Sequence, residues 1–200
     1  AFVRVDSRKM PYDIFVYTKG MELHDGDKVV VKIKEWPADT KSPTGEIIDV
    51  LGPAGDNDTE MHAILAEFNL PYKYPEEVEK AADAIPELIP AEEIARRRDF
   101  RGVTTFTIDP ADAKDFDDAL SIRPVGENRW EVGVHIADVT YYVQEESIIE
   151  AEGRERATSV YLVDRTIPML PEKLSNYLCS LRPDEEKLCF SAVFEMDADL

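Results

Sequence analysis

The pattern of apolar and polar residues over the first 52 positions is typical of short β-strands. β-Branched and aromatic residues form four runs, and glycine or proline separates the runs from one another. The predicted strands cover residues 2–5, 14–17, 28–33 and 45–50. Their length and spacing predict a small all-β barrel over residues 1–53.

Aromatic residues share one face of two predicted strands. Side chains alternate along a strand, so Phe2 and Arg4 should lie on one face of the first strand. Phe15 and Tyr17 should share a face of the second strand. Aromatic rings beside a cation can stack on nucleic-acid bases, and small barrels of the oligonucleotide-binding type offer such a surface. The alternative is that the rings pack beneath a neighbouring domain.

Residues 54–100 are predicted to form a helical connector. A helix of period 3.6 is predicted from four apolar positions, Met61, Ile64, Leu65 and Phe68. Asp58 or Thr59 can cap its start. Pro75 and Pro90, each followed closely by acidic residues, begin two further helices. The basic run 96–98 either complements the end of the third helix or contacts phosphate.

Strands and helices alternate over residues 101–200, which predicts a mixed α/β domain and an α+β fold for the whole chain. The predicted strands cover residues 104–108, 119–123, 130–136, 160–163 and 188–196, and the predicted helices cover 147–156 and 172–179. Residues 196–200 are predicted to be the tip of a hairpin. A chain that starts and stops beside strands is expected to be a fragment of a longer protein.

Charge is distributed unevenly along the chain. Residues 1–52 carry a net charge of −1, and residues 53–200 carry −18 of the total of −19. Such acidity argues against a broad phosphate-binding surface on the second segment unless metal ions or other parts of the protein supply positive charge.

Cysteine usage and hydropathy point to a cytoplasmic protein. Cys179 and Cys189 are the only cysteines, too few for a disulfide framework, and we expect them to be small buried hydrophobes. No apolar run reaches the roughly 18 residues of a membrane span, so no membrane association is expected.

One acidic passage carries the candidate chemistry. Asp109, Asp115, Asp117 and Asp118 fall within ten residues, between apolar flanks. Like charges at such density are costly to hold without a cation. Mg²⁺ binds to a few carboxylates together with water and substrate phosphate oxygens. Two such ions can clamp the attacking and leaving oxygens of a phosphodiester, so the passage predicts a metal-dependent phosphoryl-transfer site.

Other interpretations of the acidic passage are weaker. An EF-hand calcium loop counted from Asp115 would need glycine at its sixth position and glutamate at its twelfth. Those positions hold Leu120 and Gly126, which excludes this loop type. A solvated acidic loop without a metal remains the alternative.

The same passage, residues 107–120, resembles the catalytic signature of the ribonuclease II family. Further segments resemble the family in the same order, at residues 135–143, 158–162, 167–171 and 174–181. Residues 1–52 are similar to the second cold-shock domain of that family, which precedes its catalytic domain. The tandem Tyr141 and Tyr142 favour one bacterial branch of the family over the branch that gives it its name.

The resemblance implies processive hydrolysis of single-stranded RNA from its 3′ end, with release of nucleoside 5′-monophosphates. It also implies that the four aspartates of the acidic passage are active-site residues that bind Mg²⁺ or Mn²⁺. Tyr161 matches an aromatic residue that stacks on a base near the RNA 3′ end, whereas its strand setting alone is also compatible with a core position. The family's arginine-rich phosphate-binding segment is absent from this chain, so the alternative is an inactive RNA-binding module.

Overall fold

A computed structural model describes residues 1–7 and 9–197 of the chain. The chain divides into two compact units, Ala1–Lys73 and Tyr74–Leu200. The hairpin tip predicted at residues 196–200 falls largely on residues 198–200, which lie outside the described residues.

The first unit contains a four-stranded sheet close to the predicted one. Its strands are β1 (Phe2–Val3), β2 (Ile14–Val16), β3 (Asp27–Glu35) and β4 (Thr44–Pro53). They are arranged in the order β1-β2-β4-β3, with β2 parallel to β4 and the other pairs antiparallel. Ile14, Val16 and Ile47 form the buried centre of this unit. A Cβ atom at Gly45 would lie 2.5 Å from the Val31 side chain, so close packing of β3 on β4 requires glycine there.

Helix α1 (Asn57–Glu67) belongs to the first unit, although the sequence assigned it to a connector. Its N-cap is Asp56, whose side chain accepts hydrogen bonds from the amides of Asp58 and Thr59, so the predicted cap at either of those residues was wrong. Thr59 is instead buried, and its hydroxyl donates to the Leu51 carbonyl at 3.3 Å. This contact fastens the helix to β4.

The second unit combines a four-stranded antiparallel sheet with short helices. The strands of the main sheet are β5 (Thr105–Phe106), β6 (Asp118–Gly126), β7 (Arg129–Ala137) and β10 (Cys189–Asp197). Two short strands outside it are β8 (Val160–Tyr161) and β9 (Thr166–Ile167). The helices are α2 (Glu76–Asp83), α3 (Ala91–Arg96), α4 (Val139–Tyr142), α5 (Ile148–Arg156) and a π-helix at Lys173–Leu178. The sheet order is β10-β7-β6-β5, and β8 pairs separately with β9.

The core of the second unit lies between helices and one face of the sheet. Leu174 and Leu178 of the π-helix are buried with Ile149 of α5 and with Ala119 and Ala137 of the sheet. This packing places the π-helix beside the start of β6, where the acidic passage ends. Across the described residues, no helix has both the length and the apolar character needed to cross a bilayer.

The basic run that ends α3 forms ion pairs within the second unit. Arg96 and Arg97 pair with Glu93 at 2.7 and 2.6 Å. Arg98 pairs with Glu131 of β7 at 2.6 Å. These contacts favour a structural role for the three guanidinium groups over phosphate binding.

Candidate active site and aromatic face

The acidic loop (residues 107–117) joins β5 to β6 without regular secondary structure, apart from a turn at residues 111 and 112. The Ala113 amide donates to the Pro110 carbonyl at 3.0 Å and closes this turn. Further along, the Ala137 amide donates to the Asp117 carbonyl at 2.9 Å. Asp118 is the first residue of β6, so the last two acidic residues sit where the loop joins the sheet.

The four site aspartates (Asp109, Asp115, Asp117 and Asp118) line one cavity of about 640 Å³. Side chains from distant parts of the second unit complete its wall, among them Tyr161, Arg165, Glu172 and Asn176. Within the described residues, no three His, Cys, Asp or Glu side chains lie close enough together to hold a metal ion. The fold therefore gathers the carboxylates on one wall but does not arrange them as a finished coordination set.

Negative charge is crowded on this wall. Partial desolvation raises the pKa of Asp117 above its ordinary value, and the charges of the other three site aspartates raise it further. A raised carboxyl pKa means that the ionised form is disfavoured at this position. A bound cation would reverse this effect, and hard carboxylate oxygens are the donors that Mg²⁺ prefers.

Tyr161 is attached to the cavity through its hydroxyl group. It donates a hydrogen bond of 3.0 Å to Oδ2 of Asp115, while 67% of the residue stays exposed. Partial desolvation is the main cause of a raised pKa of the phenol, and the hydrogen bond to Asp115 raises this pKa further. The exposure excludes the alternative of a core tyrosine, since the ring lies at the surface of the cavity wall.

Sequence reasoning missed the part of the cavity wall that comes from outside the acidic passage. Arg165 precedes β9, and Asn176 projects from the π-helix more than 50 residues beyond the acidic loop. Asn176 lies in residues 174–181, one of the segments that resemble the family, but neither composition nor spacing marks the two residues, because their proximity to the aspartates depends on how the second unit packs.

The three rings of the aromatic face, Phe2, Phe15 and Tyr17, lie together in the first unit as the alternation predicts. Phe2 is paired with Phe15 across β1 and β2, and their ring centroids are 5.3 Å apart, edge to face. Phe15 and Tyr17 meet edge to face at 5.1 Å. Phe2 and Tyr17 are 65% and 78% exposed, and Arg4 is exposed nearby in sequence. The rings are therefore accessible within this unit.

Comparison with known families defines the class of both units. Residues 2–75 match the family model of a cold shock domain, and residues 97–200 match that of the RNB domain. These matches confirm the predicted α+β class with a cold-shock-like first unit. The chain belongs to the RNB domain family, and the predicted resemblance to ribonuclease II enzymes is confirmed.

Within that family, the chain is similar to proteins of the ribonuclease R branch, which the tandem tyrosines favoured. It is 46% identical to ribonuclease R of Aquifex aeolicus, over 88% of this chain and 25% of that protein. The chain spans about a quarter of the length of the curated relatives it matches.

Solved structures give the same picture. The chain superposes on RNase R of Mycoplasma genitalium, determined in complex with double-stranded RNA, with a TM-score of 0.84 and 26% identity, covering 98% of this chain and 36% of that one. It also superposes on yeast Ssd1, described as a pseudonuclease, with a TM-score of 0.66 and 25% identity, covering 98% and 26%. Both an enzyme and a pseudonuclease thus share this fold.

Proposed function

We propose that this chain is part of a 3′→5′ exoribonuclease and that the aspartate cavity is its hydrolytic site. The observation that carries the proposal is the convergence of four aspartates and one exposed tyrosine on a single cavity. We infer single-stranded RNA as its substrate class and nucleoside 5′-monophosphates, released processively, as its products, as the resemblance to the ribonuclease II family implies. The two free thiols agree with a cytoplasmic location.

The site aspartates would hold Mg²⁺, with Mn²⁺ as a substitute, because their oxygens are hard donors and a cation would relieve the repulsion of their charges at Asp117. When bound, the cation would stabilise charge on the phosphodiester and lower the pKa of water. The carboxylates line the cavity without a finished coordination set, so water and RNA phosphate oxygens would complete the ligand shell of the cation.

Tyr161 would bind the base at the RNA 3′ end. Its hydroxyl is fixed by Asp115, so the ring is held at the cavity wall with most of its surface exposed. Stacking on a base requires such an exposed ring and tolerates any base, as a non-specific exonuclease needs. The aromatic face of the first unit would stack on bases in the same way.

A second candidate is an RNA-binding module without hydrolytic activity. The similarity to a pseudonuclease shows that this fold also occurs in a protein described as lacking nuclease function. The strong acidity of residues 53–200 also weakens phosphate binding around the cavity. The four intact site aspartates favour the enzyme over this candidate.

The substitution Asp118→Asn separates the two candidates. It removes one charge from the cavity at nearly constant volume, and we expect Mg²⁺-dependent release of mononucleotides by the full-length protein to fall at least about 100-fold. The matched control is Asp184→Asn. Asp184 is exposed, and asparagine adopts the left-handed backbone conformation at this position (φ 60°) as readily as aspartate does. Full turnover by Asp118→Asn would remove this carboxylate from the mechanism.

A further inference from the structure

A buried serine touches the acidic loop on both sides of Asp115. Ser180 follows the π-helix and is fully buried, with a relative exposure of 0%. Its hydroxyl donates to the Lys114 carbonyl at 2.7 Å and accepts a hydrogen bond from the Phe116 amide at 3.1 Å. One side chain thus satisfies the backbone groups immediately before and after a site aspartate.

Neighbouring backbone groups continue this attachment. The Leu181 amide donates to the Phe116 carbonyl at 2.8 Å, next to the bond that Ala137 makes to Asp117. Residues 113–117 have no secondary structure, so these bonds take the place of a strand ladder. Among the described hydrogen bonds to the backbone of residues 114–117, those that a side chain makes come from Ser180. A substitution at Ser180 can therefore remove them.

The segment that carries Ser180 also forms part of the cavity wall. The Cys179 amide donates to the Leu174 carbonyl at 2.8 Å, a bond of the π-helical type, and Asn176 of the same helix lines the cavity. Short π-helical segments occur frequently at functional sites. The π-helix therefore leads from a residue of the cavity wall, Asn176, to the serine that bonds to the backbone of the acidic loop.

We propose that Ser180 is a positioning residue that fixes the acidic loop so that Asp115 and Asp117 are presented to a divalent cation. This inference rests on the proposed function, since it takes the site aspartates as the cation's ligands. Hydrogen-bond partners that orient metal ligands commonly change metal affinity strongly when they are removed. Alanine at this position would leave the Phe116 amide and the Lys114 carbonyl without their partner.

The test uses this chain and two readouts, Mn²⁺ affinity by titration calorimetry and hydrogen exchange of the Phe116 amide. For Ser180→Ala we expect roughly tenfold weaker Mn²⁺ binding, the lower end of the range for such partners. The Phe116 amide should also exchange faster, because its acceptor is gone. The matched control is Ser121→Ala, another buried serine of the second unit, whose hydroxyl bonds to Nε2 of His135 at 2.8 Å.

Each outcome has a distinct meaning. Weaker binding and faster Phe116 exchange in Ser180→Ala alone support the proposal. Equal Mn²⁺ affinity of Ser180→Ala and wild type, or an equal loss in Ser121→Ala, overturns it. If wild type binds no Mn²⁺, the metal site of the proposed function fails, and the positioning role fails with it. If Ser180→Ala does not fold, Ser180→Cys keeps the shape of the side chain but forms only weak hydrogen bonds, and it should show the same loss.

Discussion

At the scale of single residues, spacing alone identified the four aspartates but not their surroundings. A run of carboxylates between apolar flanks can be recognised in the sequence, because the charges that repel one another are close together along the chain. The strand pattern alone did not predict the exposure of Tyr161 or its bond to Asp115, since a strand tyrosine also fits a core, whereas the family resemblance implied a ring that stacks on a base. Asn176 lies in a segment that resembles the family, but neither composition nor spacing marked it, because only packing of the second unit brings it to the cavity.

Substitutions at Tyr161 should separate its ring from its hydroxyl group. Tyr161→Phe keeps the ring and loses the bond to Asp115, so RNA affinity should change little. Tyr161→Ala removes the stacking surface and should weaken binding of a single-stranded RNA oligonucleotide by about 1–3 kcal/mol.

Fluorescence anisotropy of a labelled oligonucleotide measures this affinity. Tyr177→Ala is the matched control, because this residue is 54% exposed and does not line the cavity. Unchanged affinity of Tyr161→Ala would show that the ring does not contact RNA.

The two cysteines should resist alkylation in the folded protein. Burial raises the pKa of the Cys179 thiol to about 12 and also raises the pKa of Cys189. The reactive thiolate is therefore scarce at pH 8. Cys179 is also buried, as expected, whereas Cys189 is only half-buried. Mass spectrometry after iodoacetamide treatment should show little labelling in the native state and full labelling in denaturant. Rapid native labelling of Cys179 would contradict this burial.

At the scale of secondary-structure elements, the strands were easier to predict than the π-helix. Alternation and turn residues located β6 and β7 to within a few positions, because half-buried strands leave a period of two. A helix was predicted over residues 172–179, but the π-helix at Lys173–Leu178 looks like any short amphipathic segment in sequence. The cap of α1 was misplaced because four successive residues, Asp56, Asn57, Asp58 and Thr59, could each serve as the cap.

An ion-pair cluster ties the segment after α3 to the main sheet. Glu131 of β7 is 8% exposed, and it accepts hydrogen bonds from Arg98 at 2.6 Å and from Arg123 of β6 at 2.9 Å. The bonds from Arg98 and then Arg123 lower the pKa of this glutamate. A carboxyl whose pKa is lower in the folded state stabilises the fold above its ordinary pKa of 4.5, and this stabilisation is lost as pH falls through the folded-state value.

Glu131→Gln should therefore destabilise the chain in a pH-dependent way. We expect a lower thermal midpoint than wild type at pH 7, and a difference that shrinks as pH falls from 4.5 toward the lower folded-state pKa, at which Glu131 of the folded protein becomes protonated. Thermal unfolding followed by circular dichroism across this range measures the effect. Glu127→Gln, in the exposed turn between β6 and β7, serves as control. A difference independent of pH would mean that shape rather than charge matters at Glu131.

At the scale of the whole molecule, charge and fold give opposite indications. A net charge of −19 argues against nucleic-acid binding, yet the chain combines a cold shock domain with an RNB domain. A cation on the aspartate wall would offset part of this charge, and base stacking on exposed rings depends little on it. The sequence therefore indicated the class of protein through its motifs, while composition alone would have excluded it.

The central claim is that the aspartate cavity hydrolyses RNA from the 3′ end with the help of a divalent cation. The most direct measurement incubates single-stranded RNA, labelled at either its 3′ or its 5′ end, with this chain and with the full-length protein, each in Mg²⁺ or EDTA. The account predicts that the full-length protein releases labelled mononucleotide in Mg²⁺ but not in EDTA. In Mg²⁺, the label should appear at once from 3′-labelled RNA and only late from 5′-labelled RNA. RNA that is bound but left intact by the full-length protein in Mg²⁺ would contradict the account and favour the binding module.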